Sequence, residues 1–131
     1  MSQDFAVAAA SGSLRSSVRS DAQLPHKWSD EGVAIETQFT GAHLLHLATA
    51  ACVLNDLYRE AVSLGVRIDG VRVDVIGEFD TTAWRSTGID YHVTIDSPSP
   101  PAQVSQLLAA VDEVAEIPRA LRAGAEVRRI T

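Results

Sequence analysis

A single cysteine, Cys52, in 131 residues leaves no internal disulfide and no cysteine-cluster zinc site, and it suits a reducing compartment. No basic run or basic helix face occurs and the net charge is −6, so nucleic acid is not expected as a partner. The longest apolar run is about ten residues, too short to cross a bilayer. The first ten residues are partly apolar but lack a basic segment and carry Asp4, so a signal peptide is not expected. A hydrophobic fraction of 46% with 21% charged residues describes a globular chain, not a disordered one. These absences together predict a cytoplasmic protein of one domain, residues 1–131, with no membrane segment and no cofactor.

Periodicity supplies the elements. Phe5 to Ala10 reads as a strand, Ser11-Gly12-Ser13 as a turn, and Leu14 to Ser20 as the strand's hairpin partner, bearing Arg15 and Arg19. Ala22 to Gly32 reads as a loop. Val33 to Phe39 alternates as a half-buried strand. A long helix is predicted from Ala42 to Leu64, with Thr40 as its N-cap and Gly65 closing it. Its first half is apolar nearly all round, interrupted by His43, His46 and Thr49, and such a helix is expected to be buried on every side. In its second half Leu54, Leu57, Ala61 and Leu64 are expected to face inward, and Asn55, Asp56, Arg59 and Glu60 to face water. A chain this small has trouble covering that helix, which points to a homodimer. Two alternating strands follow, Val71 to Phe79 and Ile89 to Asp96, joined by a loop carrying Trp84. Pro101 opens a second helix. Pro118 ends that pattern, Arg119 to Ala123 form a short turn, and Ala125 to Ile130 read as a last strand. Strand runs separated by isolated helices define an α+β chain.

Candidate chemistry centres on Cys52. A lone thiol in an apolar helix is most often an inert core residue. His43 and His46 lie three apart and share a helix face, but Cys52 is rotated by about 120° from His46, so the three do not form a ligand set and no metal is expected. The two histidines then read as hydrogen-bonded groups or binding residues near the helix start. Asp56, one turn beyond Cys52, would raise the thiol pKa if it stays close. Trp28, Trp84 and Tyr91 read as packing or as the rim of a pocket.

Three segments carry a resemblance: residues 43–54 (HLLHLATAACVL), 61–77 (AVSLGVRIDGVRVDVIG) and 107–121 (LLAAVDEVAEIPRAL). In order and spacing they resemble the OsmC/Ohr family of organic-hydroperoxide-reducing proteins, well over about residues 33 to 131 and poorly before them. The resemblance implies antiparallel sheets around a long buried central helix, an interlocked homodimer, and reactive sites at the subunit interface. It places Cys52 at the peroxidatic position and Ile117, just before Pro118, where the family has its resolving cysteine. The family's acidic residue falls at Ala42, or at His43 with a one-residue slip. The thiolate-stabilising arginine would be Arg15 or Arg19. Two functions are then expected. One is a one-cysteine peroxidase that reduces a small apolar hydroperoxide and is recycled by an external thiol. The other is a scaffold without redox turnover that binds a small apolar ligand at the dimer interface.

Overall fold

The computed structural model describes residues 2–130. Its strands are β1 (Ser2–Gly12), β2 (Ala22–Leu24), β3 (Val33–Glu36), β4 (Gly70–Asp80) and β5 (Arg85–Asp96). They form one antiparallel five-stranded sheet in the order β2-β3-β1-β4-β5. The helices are α1 (Gly41–Leu64), α2 (Pro101–Val114) and α3 (Glu116–Ala123), so the class is α+β.

Alternation along the central strands sorts side chains to two faces. Val7 and Ala9 of β1 and Val71, Val73 and Val75 of β4 point to one face, where they meet Val53, Leu54, Leu57 and Ala61 of α1 and Leu107 and Val111 of α2. Ala8, Ala10, Ala34 and Val18 make a smaller cluster. The intervening β1 residues face away from the main core, so Ala8 and Ala10 put this cluster on the other side of the sheet. Ser11, fully buried on the helix side, lies 2.8 Å from the Tyr58 hydroxyl, which ties α1 to the end of β1.

The α1 boundaries follow from its caps. The Thr40 hydroxyl accepts from the His43 N–H at 3.0 Å, and Gly65 closes the helix in the left-handed conformation at φ 69°. Pro101 occupies the first turn of α2.

Several expectations fail, each for a local reason. Leu14 to Ser20 is not a hairpin strand: both edges of β1 are taken by β3 and β4, and Arg15–Ser17 wind into a 3-10 turn closed by bonds from Ser17 to the Leu14 carbonyl. Ala22–Leu24, expected within a loop, pairs with β3. The strand expected to reach Phe39 stops at Glu36, and Phe39 is 92% exposed. Residues 125–130 form no strand: they pair with none of the five strands and are exposed throughout. α3 starts at Glu116, ahead of Pro118, since a proline in the first turn gives up an N–H that the helix does not use.

α1 corrects the largest expectation. It is not buried on every side. Its polar interruptions His43, His46 and Thr49 are buried, while Leu44, Leu45, Leu47, Ala48 and Cys52 are half-buried and Ala51 is exposed. Asp56, expected in water, is 3% exposed, and Leu64, expected inside, is 37% exposed. The sheet covers one side of the helix and α2 and α3 cover its flank, so the face opposite the sheet is left open.

Candidate functional site around Cys52

The open face of α1 holds Cys52. Opposite it, α2 ends at Val114 and α3 begins at Glu116, so the α2–α3 junction is set against the middle of α1. The first N–H groups of a helix have no partner within it. The Ile117 N–H, from that first turn, is directed at the Cys52 Sγ at 3.5 Å. Four residues along α1 from Cys52, Asp56 lies on the same face, and the thiol donates to its Oδ2 at 3.7 Å, a weak sulfur hydrogen bond. Arg59 follows at the next helical interval, its Nη1 3.2 Å from Asp56 Oδ1.

These neighbours set the protonation state. Burial pushes the Cys52 thiol pKa up; the Ile117 N–H opposes this and the Asp56 carboxylate adds to it. Asp56 is itself raised, chiefly by burial, against the pull of Arg59. The cation nearest this cluster is therefore spent on the carboxylate between it and the sulfur. The group favours a protonated, weakly nucleophilic thiol.

A cleft of about 490 Å³ opens over this cluster. Its walls are Leu24, Pro25 and His26 from β2 and the following loop, Val33 and Ile35 from β3, and Leu47, Ala48 and Ala51 from α1. Cys52, Asp56, Arg59, Glu116 and Ile117 close one end. His26 Nδ1 lies 2.7 Å from the Ser29 hydroxyl, and its ring packs edge-on to Tyr58 at 5.1 Å and to Trp28 at 5.7 Å. Burial lowers its pKa, with Asn55 pulling the other way, so the cleft carries a neutral imidazole near pH 7.

Of the residues singled out in the sequence, Cys52 and Ile117 come together across 65 positions. Arg15 and Arg19 do not reach this cleft within the chain. Arg15 donates to Gln23 at 2.6 Å and lies 4.0 Å from Glu31, and Arg19 is paired with Asp21 at 2.7 Å. Ala42 and His43 are remote from it as well. The His43 ring lies 2.6 Å from the Thr40 hydroxyl, and His46 Nδ1 donates to the Ala42 carbonyl at 2.6 Å. Both histidines pack around Phe5, at 5.0 and 6.0 Å, with Phe79 against Phe5 and His46. Among the described residues no group of three or more His, Cys, Asp or Glu is placed to hold a metal ion. Among the described residues no helix is long and apolar enough to cross a membrane. Trp84 is 78% exposed at the tip of the β4–β5 hairpin, and Trp28 packs against the core beneath Lys27.

Sequence reasoning missed His26 and Arg59. His26 sat in a segment read as an irregular loop, and its only signal was its place beside Pro25 and Trp28. Arg59 was expected in solvent, and only its spacing from Cys52 and Asp56 could have placed it here.

Comparison with known proteins agrees with this architecture. Residues 34–128 match the family model described as OsmC-like protein. An OsmC-like hydroperoxide resistance protein from Jannaschia sp. CCS1 superposes with a TM-score of 0.64 at 11% identity, over 96% of this chain and 91% of that one. An OsmC-like protein from Mycoplasma pneumoniae superposes with a TM-score of 0.60 at 20% identity, over 72% of this chain and 75% of that one. No curated protein matches the sequence.

Proposed function

The chain belongs to the OsmC-like protein family, and from that premise we propose that it binds a small apolar molecule in the cleft over Cys52, with at most slow peroxide chemistry at the thiol. The observation that carries this reading is the setting of Cys52: an apolar cleft of about 490 Å³, a size typical of small-molecule sites, ending on a thiol that burial and Asp56 keep protonated. A nucleophilic thiol needs the reverse, an uncommitted cation and no carboxylate at the sulfur.

The second reading is the one-cysteine peroxidase, favoured by the Ile117 N–H, which would stabilise a thiolate. Its chemistry is as follows. The Cys52 thiolate attacks the terminal oxygen of a hydroperoxide, the O–O bond breaks, and the alkoxide leaves and takes a proton as the alcohol. Cys52 becomes a sulfenic acid. Ile117 offers no second thiol, so an external thiol condenses with the sulfenic acid and releases water. A second external thiol then frees Cys52 as a disulfide forms between the two reductants.

We further infer one domain over residues 1–131, acting as a homodimer in the cytoplasm. The open face of α1, with Leu44, Leu45, Ala48 and Ala51, is the surface a second copy would cover, and it would roof the cleft in doing so. Arg15 or Arg19 of the partner subunit remains the candidate for a cation at the thiol.

The test uses Nile red as the apolar probe and cumene hydroperoxide with dithiothreitol as the redox pair. Binding should persist in Cys52→Ser and fail in Ala48→Phe, which fills the cleft. Hydroperoxide consumption should be slow in the wild type, absent in Cys52→Ser, and faster in Ile117→Cys. Fast wild-type turnover would establish the peroxidase reading instead, and probe binding that ignores Ala48→Phe would remove the cleft as the site.

A further inference from the structure

A second cleft, sharing no lining residue with the first, lies between α1, the first half of β5 and α3, with a volume of about 430 Å³. Thr49 of α1 forms its floor. Thr49 is 2% exposed, and among the described residues its hydroxyl has no hydrogen-bond partner. A helical threonine ordinarily settles its hydroxyl on the carbonyl one turn back, and a buried hydroxyl left unpaired has lost its hydration with nothing in exchange. The wall is apolar: Ile89 of β5 and Pro118 and Leu121 of α3. The rim is polar, with Ser86, Thr87 and Arg122. Among the described residues Arg122 forms no salt bridge or hydrogen bond, and its electrostatic neighbour is the Tyr91 hydroxyl. Asp112, the carboxylate beside Tyr91, accepts from that hydroxyl.

An unpaired hydroxyl at the floor, an apolar wall and an uncommitted guanidinium at the mouth describe a ligand with three parts. We propose that this cleft is a second binding site, for a small carboxylate whose apolar chain carries a hydroxyl or carbonyl at its far end. The carboxylate pairs with Arg122, helped by the rim hydroxyls. The chain lies on Ile89, Pro118 and Leu121. The distal oxygen takes the hydrogen bond that Thr49 lacks.

The probe is 6-hydroxyhexanoate, followed by backbone amide shifts in the full-length protein. Hexanoate, which lacks the distal hydroxyl, and 1,6-hexanediol, which lacks the charge, serve as comparisons. The shifts should centre on Thr49, Thr87, Leu121 and Arg122. Each comparison compound should bind about tenfold more weakly, the loss of about 1.4 kcal/mol. Thr49→Val and Arg122→Gln should each cost a similar factor. Thr49→Val removes a hydroxyl with no partner and should melt no lower than the wild type. Arg122 is exposed, so Arg122→Gln keeps the test available if Thr49→Val fails to fold. Absence of binding, shifts confined to the Cys52 cleft, or equal affinities for all three compounds would overturn the proposal.

Discussion

Replacing Asp56 by Asn tests what holds the Cys52 thiol neutral. A unit charge 3.7 Å from the sulfur would cost the thiolate about 4 kcal/mol at an effective dielectric near 20. Arg59, 3.2 Å from the other carboxylate oxygen, cancels most of that field, and the open cleft screens more. A net effect of about 1 kcal/mol remains, roughly a fivefold larger thiolate fraction at a fixed pH below the thiol pKa. A thiolate of lower basicity is also less nucleophilic, which trims the gain in rate to about two- to threefold. Iodoacetamide alkylation at pH 7 measures it without background, since Cys52 is the only thiol. The same variant has a stability signature. The Asp56 pKa is raised in the folded protein, so the unfolded state binds fewer protons between the two pKa values, and stability falls as pH rises through that interval. The penalty is complete above the folded pKa and absent below the unfolded value near 3.9. Asp56→Asn should therefore be more stable than the wild type at pH 7, with the difference shrinking as pH falls towards 4. An unchanged or slower alkylation rate would refute the assignment of Asp56 as the group that opposes the thiolate.

Three further outcomes are expected. Gly77→Ala should place a methyl group on the His46 imidazole, which is held by its bond to the Ala42 carbonyl and packed by Phe5, and 2.8 Å from the Gly88 carbonyl oxygen; a loss of about 1–3 kcal/mol should appear in thermal melting and be recovered only in part in the double variant with His46→Ala, since the backbone contact stays. Spectrophotometric titration should find Tyr91, pushed up to about 12 by burial and by Asp112, still protonated at pH 10 in the folded chain, and Asp112→Asn should bring its transition to lower pH. Sedimentation should give twice the 14.0 kDa chain mass, and Ala51→Glu, on the open face of α1, should give the monomer; a wild-type monomer at micromolar concentration would remove the dimer.

Much of the fold was legible because it rests on local signals. Thr40 and Gly65 mark the ends of α1 through an N-terminal hydrogen bond and a left-handed cap, both written in the residue types. The alternation of Val71, Val73 and Val75 gives the strand and its buried face together. What failed depends on neighbours distant in sequence. Leu14 to Ser20 has only Leu14 and Val18 as apolar residues and reads as a strand from the turn before it, but the edges of β1 belong to β3 and β4, segments that no local pattern connects to it. The orientation of α1 was illegible for a different reason. A helix apolar nearly all round carries no directional signal, so nothing local says which face meets the sheet. The sheet took the side with Ala50, Val53 and Leu57, which left Ala51 in solvent, and the α2–α3 junction then closed over the part of the open face that holds Asp56. The site inherits this. Cys52 and Ile117 could be matched through the resemblance, because each sits in a recognisable segment. The residues that decide the chemistry, Asp56 and Arg59, change meaning with the rotation of one helix. With Asp56 in water the thiol would have a screened, distant carboxylate. With Asp56 buried against the sulfur, the neighbouring cation, Arg59, is already paired with the carboxylate, and the thiol stays protonated.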